Sequence, residues 1–151
     1  MAIKSCHYFA HGNTAHGAHF LYTSAFDGLS KIIVLTGPQG TVKSTVIQSL
    51  ADSLLDKDLH VQYFHSPLRP DELDGIILLK LNVGIVDGRV CKGISDSGAG
   101  EIVYIDFKEA FGNNLLLPEH IITIEALRGK LESAYSKTHE TFATALKIHD
   151  E

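Results

Sequence analysis

The 151-residue chain is 44% hydrophobic, 21% charged and 8% aromatic, with 13 Gly and 4 Pro, a composition too apolar for disorder and sized for one ordinary domain. Its 13 Lys and Arg against 18 Asp and Glu give a formal charge of −5. A nucleic-acid footprint carries a basic surplus, so the charge argues against a nucleic-acid partner.

The amino-terminal MAIKSCHYFAHGNTAHG interrupts its apolar residues with Lys, His, Gly and Asn and offers no signal-peptide stretch. Residues 1–30 are rich in His, Gly, Ser and Thr with aromatics between them, and Asp27-Gly28 marks a turn. Lys31–Thr36 (KIIVLT) reads as a buried strand, continuous in β-branched residues as parallel strands are. Gly37-Pro38-Gln39-Gly40 breaks it.

From Lys43 the period becomes helical, with Val46, Ile47, Leu50, Ala51, Leu54 and Leu55 on one face. Leu59–Phe64 reads as a second strand, and Ser66-Pro67 to Gly75 as a polar loop. Ile76–Leu79 and Val83–Val86 are short apolar runs, the latter ending in Asp87-Gly88. Arg89 to Gly100 reads as a loop and Ile102–Phe107 as a further strand. Beyond Pro118 a helix is predicted from about Ile121. Its apolar stripe of Ile124, Leu127, Leu131, Ala134, Tyr135, Phe142, Ala145 and Leu146 is expected to pack.

Strands alternating with helices predict an α/β domain with a mainly parallel sheet. No apolar run has the length of a bilayer span, so no membrane association is expected and a cytoplasmic protein is. Cys6 and Cys91 read as two reduced thiols. The last helix carries no stop signal before Asp150-Glu151, which predicts that the chain is a fragment of something longer.

Buried strand, glycine-rich turn, then Lys-Ser-Thr opening a helix is the context a phosphate-binding loop requires. Gly37-Pro38-Gln39-Gly40-Thr41-Val42-Lys43-Ser44-Thr45 follows the pattern GxxxxGK[ST] except at Val42. In such a loop successive N–H groups curl around an anion at the positive end of the helix. Lys43 would reach the β- and γ-phosphates and the Ser44 hydroxyl would ligate Mg2+. A β-branched residue at position 42 keeps its N–H but adds bulk where glycine admits phosphate closely. The expected carboxylate of the magnesium shell is Asp87, at a strand exit before Gly88, with Asp106 the alternative.

The chain resembles the amino-terminal part of a family of uncharacterised bacterial P-loop ATPase-like proteins with two nucleotide-binding modules in tandem. The resemblance rests on His7–Gly17, Ile33–Thr45, Leu73–Ile76, Gly84–Gly88 and Ala145–Glu151. Val42 stands where such relatives carry Gly, and His11 and His16 where they carry Gly and Arg. The resemblance implies a P-loop NTPase-like three-layer α/β/α fold over residues 1–151, ATP as ligand, and a second module as partner. It implies no particular reaction.

Other residues carry weaker expectations. Cys6 and the histidines His7, His11, His16 and His19 could chelate a metal, but no CxxC accompanies them and solvated histidines are expected. Asp71, Glu72 and Asp74 read as a solvated acidic turn, with substrate or base residues the alternative, and Arg69, Arg89 and Arg128 as surface residues, with phosphoryl-charge stabilisation the alternative. No guanine-reading Asn/Thr-Lys-x-Asp pattern is present, which favours ATP over GTP. Two functions remain open. One is ATP binding with Mg2+, with hydrolysis or phosphoryl transfer. The other is a non-catalytic scaffold or regulatory module that pairs with a second P-loop module or another copy of the chain.

Overall fold

A computed structural model of the chain describes residues 5–37, 42–54, 57–108 and 118–149. The elements are β1 (Ser5–Tyr8), β2 (His11–Thr14), β3 (Gly17–Phe20), α1 (Tyr22–Ala25), β4 (Lys31–Thr36) and α2 (Lys43–Leu54). They continue with β5 (Val61–Ser66), β6 (Arg69–Leu78), β7 (Val83–Asp87), β8 (Glu101–Asp106) and α3 (Pro118–His149), and short 3-10 turns lie at Leu79–Leu81 and Ile94–Asp96.

The chain divides into two compact units, one of residues 1–11 and 20–110, the other of 12–19 and 111–151. The first is a mixed α/β unit around a six-stranded sheet of order β1-β5-β6-β7-β4-β8. β1 pairs with β5, and β4 with β7 and β8, in parallel, while β6 runs antiparallel to both its neighbours. The sheet is therefore mainly parallel, as the alternation of strands and helices predicts.

KIIVLT forms β4 with the bounds expected of it. Between β7 and β8, with Ile32, Val34 and Leu35 all buried, it presents apolar side chains to both faces. On one face Tyr22 and Phe26 pack with Ile32, Val34, Phe64, Ile77 and Val86. On the other, Ile47 and Ala51 of α2 pack with Leu35, Ile76 and Ile85. Gly84 makes the first packing possible: a Cβ there would stand 2.5 Å from the Phe26 ring, so the ring lies directly on the β7 backbone.

Several expectations are corrected. The polar loop from Ser66 to Gly75 is an antiparallel hairpin, in which only Pro67 and Leu68 form the turn. β7 reaches only Gly75–Leu78 of β6, so Arg69–Glu72 form an arm without a β7 neighbour, in register with β5 at Arg69 alone, where Pro70 and charges are tolerated. The second strand begins at Val61 rather than Leu59, because Asp58 and His60 take left-handed backbone angles (φ 48° and 49°).

Helix α2 starts at Lys43 as expected, but its buried face is Lys43, Ile47 and Ala51. Val46 and Leu50 are exposed, and Leu55 lies outside the described residues. In the second unit, α3 leaves Leu127, Leu131, Phe142 and Leu146 exposed, so the stripe expected to pack is open. Ile124 and Tyr135 are partly covered, and His139 on α3 meets Asn13 of the β2–β3 hairpin at 3.1 Å. Cys6 and Cys91 are both free. Among the described residues no helix is long and apolar enough to cross a membrane.

Candidate functional site

In open α/β sheets the ligand crevice forms beyond the carboxyl ends of the strands, where successive connections leave a strand in opposite directions. That strand here is β4. The chain runs from it to β5, β6 and β7 on one side and then returns to β8 on the other. The register sets Leu35 beside Asp87 and Thr36 beside Asp106, so two aspartates flank the start of the glycine-rich turn.

Gly37 leaves β4 with φ +131°, and a Cβ there would lie 3.2 Å from that of Phe107. Both the angle and the space require glycine. From the first turn of α2, Lys43 reaches back: its Nζ donates to the Gly37 carbonyl at 2.9 Å and stands 3.4 Å from Asp87 Oδ1. Lys43 is 2% exposed and Asp87 1%, so this is a buried ion pair and Lys43 is no surface lysine. Ser44 Oγ accepts the Leu73 N–H at 3.1 Å, tying the helix start to β6. Thr45 is exposed. Val42, 42% exposed, turns its side chain partly to solvent while its carbonyl accepts the Val46 N–H. Pro38, Gln39, Gly40 and Thr41 lie outside the described residues.

Arg89 is not a spectator either. Its backbone N–H donates to Asp87 Oδ1 at 2.9 Å, and its Nε and Nη2 reach Oδ2 at 2.8 Å each. A carboxylate has about four acceptor positions, and with Lys43 these partners take all of them. A serine hydroxyl and an aspartate oxygen are the hard donors that Mg2+ prefers. In this arrangement, however, Asp87 has no acceptor position left for a direct magnesium bond. Asp106 accepts the Lys108 N–H at 2.8 Å and caps the turn after β8.

A second buried carboxylate sits nearby. The β5–β6 register passes from Phe64 beside Gly75 directly to His65 beside Leu73, so Asp74 is the extra residue of a β-bulge. The bulge lets Leu73 join the α2-side core while Asp74 meets Tyr22 on the opposite face. Asp74 is 2% exposed, which corrects its reading as part of a solvated turn; Asp71 is exposed, and Glu72 is half-buried and paired with Arg69 at 2.8 Å.

The Tyr22 hydroxyl donates to Asp74 Oδ2 at 3.2 Å. His11 Nδ1 stands 3.4 Å from the same oxygen, yet the atom is buried and has no hydrogen-bond partner among the described residues. Burial pushes the Asp74 carboxyl up to about 6, aided by Asp87 and Glu72 and opposed by Tyr22 and Arg89. Burial, and then the Arg89 charge, hold His11 below the usual imidazole range, so it remains neutral beside Asp74. Burial and the neighbouring Asp74 push the Tyr22 phenol up, keeping its proton available to donate.

Sequence reasoning listed His11 only among possible metal chelators expected to be solvated, and assigned no role to Tyr22. The available signal was Asp74 itself, a charge set between the apolar Leu73 and Gly75-Ile76. His7 meets His65 at 2.8 Å and stacks on Tyr63, and His16 and His19 are exposed. Among the described residues no group of three or more His, Cys, Asp or Glu is placed to hold a metal ion. Comparison of the chain with protein families, curated proteins and solved structures finds no match in any of the three.

Proposed function

We propose that the chain binds a nucleoside triphosphate, ATP, with Mg2+, through a variant phosphate-binding loop spanning Gly37, Pro38, Gln39, Gly40, Thr41, Val42, Lys43, Ser44 and Thr45. A P-loop NTPase-like layering of helices about the sheet, and a cytoplasmic location, belong to the same proposal. The observation that carries it is Lys43. A lysine 2% exposed, bridging the carbonyl at the end of β4 and a buried aspartate on the adjacent strand, occupies the crevice expected to hold an anion. Burying an ammonium is costly without a partner, and a triphosphate would give this one a stronger partner than Asp87. The first-turn amides of α2 have no acceptor within the helix and add the positive end of its dipole. Ser44 would supply a hydroxyl to magnesium, and Asp87 would join once Lys43 exchanges it for phosphate.

Isothermal titration with Mg-ATP tests this. The wild-type chain is expected to bind, and Lys43→Ala to give no measurable heat. Equal heats from both would remove the phosphate role.

A second reading, a non-catalytic module that pairs with a second P-loop module or another copy of the chain, is favoured by one observation. Leu127, Leu131, Phe142 and Leu146 on α3 are open to solvent. Light scattering after size exclusion separates the readings, since a monomer that hydrolyses ATP is not a pure scaffold.

A further inference from the structure

We propose that Asp74 and His11 form a proton-linked tautomer switch. The carboxyl donates to His11 Nδ1 when protonated and accepts from it when ionised, so the outer nitrogen, Nε2, changes from donor to acceptor. The inference is independent of the ATP reading. Three observations carry it, and all lie within the first compact unit.

The first is an unmet nitrogen. His11 Nδ1 is buried without a hydrogen-bond partner among the described residues, and Asp74 Oδ2 stands 3.4 Å from it. A small turn of the ring would close that gap to a hydrogen bond. Leaving a buried polar atom unpaired is costly, so direct sharing of a proton is the arrangement that satisfies it. The second is the bulge. It turns Asp74 to the Tyr22 face, where the phenol already donates to the same oxygen at 3.2 Å. A carboxyl oxygen can accept the phenol and hold a proton for Nδ1, or accept from both.

The third is the route outward. Asp74 is 2% exposed, whereas 16% of the His11 side chain meets solvent, and with Nδ1 buried it is Nε2 that is left to exchange a proton. A neutral imidazole carries one N–H, and the partner of one nitrogen decides which of the two holds it. With Asp74 protonated, its O–H points to Nδ1 and the hydrogen of the ring sits on Nε2. On ionisation the proton crosses from Oδ2 to Nδ1, and solvent takes the one on Nε2. One proton is released in sum, and His11 is neutral in both end states. The sealed carboxyl thus reaches solvent through the ring.

The charged and titratable groups acting on the pair are Tyr22 from α1, Glu72 from the strand of Asp74, Asp87 from β7 and Arg89 beyond it. Burial, and then Arg89, keep the imidazole neutral, while burial brings the Asp74 carboxyl to about 6. A ligand group that donates to Nε2 is therefore accepted above that pH, and one that accepts from Nε2 below it.

Nitrogen NMR of the histidine side chains across pH tests this on the full chain, with His11 assigned by the signals lost in His11→Gln. Nδ1 of His11 is expected to change from pyridine-like to pyrrole-like as the pH rises through about 6, and Nε2 to change in the opposite sense. Asp74→Asn, whose amide does not ionise, should abolish the change. Should Asp74→Asn not fold, Tyr22→Phe carries the test, because loss of a hydrogen bond that favours the carboxylate moves the midpoint to higher pH. Nitrogens that keep one tautomer throughout overturn the inference, as does an imidazolium signal of His11 at the midpoint. So does a change that persists in Asp74→Asn, or a Tyr22→Phe midpoint that stays in place. The tautomer change in a chain that binds no Mg-ATP upholds the inference and removes the ATP reading alone.

Discussion

Two aspartates, both nearly sealed from solvent, lie at the carboxyl end of the same sheet under opposite electrostatic regimes. Asp87, 1% exposed, is surrounded by cations, with Lys43 on one oxygen and Arg89 on both. Asp74, 2% exposed, touches a phenol and a neutral imidazole, and Arg89 acts on it only at a distance. What differs between them is the partners each meets. The first side chain anchors charge; the second holds its proton into the range where it can exchange it.

The contrast breaks most visibly if Asp87 is removed. Asp87→Ala takes the carboxylate from Lys43 and from Arg89, and breaking a buried pair by deleting one partner costs about 3–5 kcal/mol. Urea unfolding should show that loss at neutral pH. A loss within experimental error would mean that Lys43 is solvated and the crevice open.

Asp74 should respond to pH instead. Its folded carboxyl lies above the ordinary 3.8, at about 6, so folding holds a proton that the unfolded chain releases earlier. Its contribution is therefore fully present below pH 3.8, declines as the pH rises to about 6 and is flat above, a decline on the order of 2–3 kcal/mol. Asp74→Asn should remove that slope, read from urea midpoints at a series of pH values. An unchanged slope would place the proton on another group.

How much of this was legible in the sequence differs between the two aspartates for a physical reason. Lys43 and Asp87 come together because β4 and β7 pair in parallel, and a continuous apolar run ending in Asp announces such a strand. Asp74 depends on a bulge, and a period-two pattern has no register for an extra residue: the charged arm Arg69–Glu72 with Pro70 reads as a loop. It continues β6 past the β7 edge, with Arg69 in register with Ser66 and Leu73 with His65 of β5. Helix α2 shows a related limit. Its apolar stripe is real, but periodicity does not say how much of the stripe the sheet covers, and Val46 and Leu50 remain outside.

Smaller effects sharpen the comparison from each side. Val42→Gly acts on the Lys43 side alone. The valine is 42% exposed, absent from both apolar cores and one residue before α2, at the cap position where glycine is well tolerated, so its removal should change stability by no more than about 0.5 kcal/mol. Mg-ATP should bind more tightly to this variant by titration, because the Cβ leaves the loop that approaches phosphate. The acid slope assigned to Asp74 should be unchanged. Weaker binding would show that the valine supports the loop.

Tyr22→Phe acts on the other side alone, and with the smallest change of atoms. It keeps the ring against Phe26 and Phe64 and deletes one hydroxyl. The Asp74 oxygen that accepted it is left with His11 Nδ1 at 3.4 Å, so about 1 kcal/mol of stability should go. That hydrogen bond favours the ionised carboxylate, so its loss raises the Asp74 carboxyl further and moves the stability slope to higher pH. Mg-ATP binding, which the proposed function assigns to Lys43, should be untouched. A variant that lost both binding and stability would show that the two aspartates belong to one coupled network.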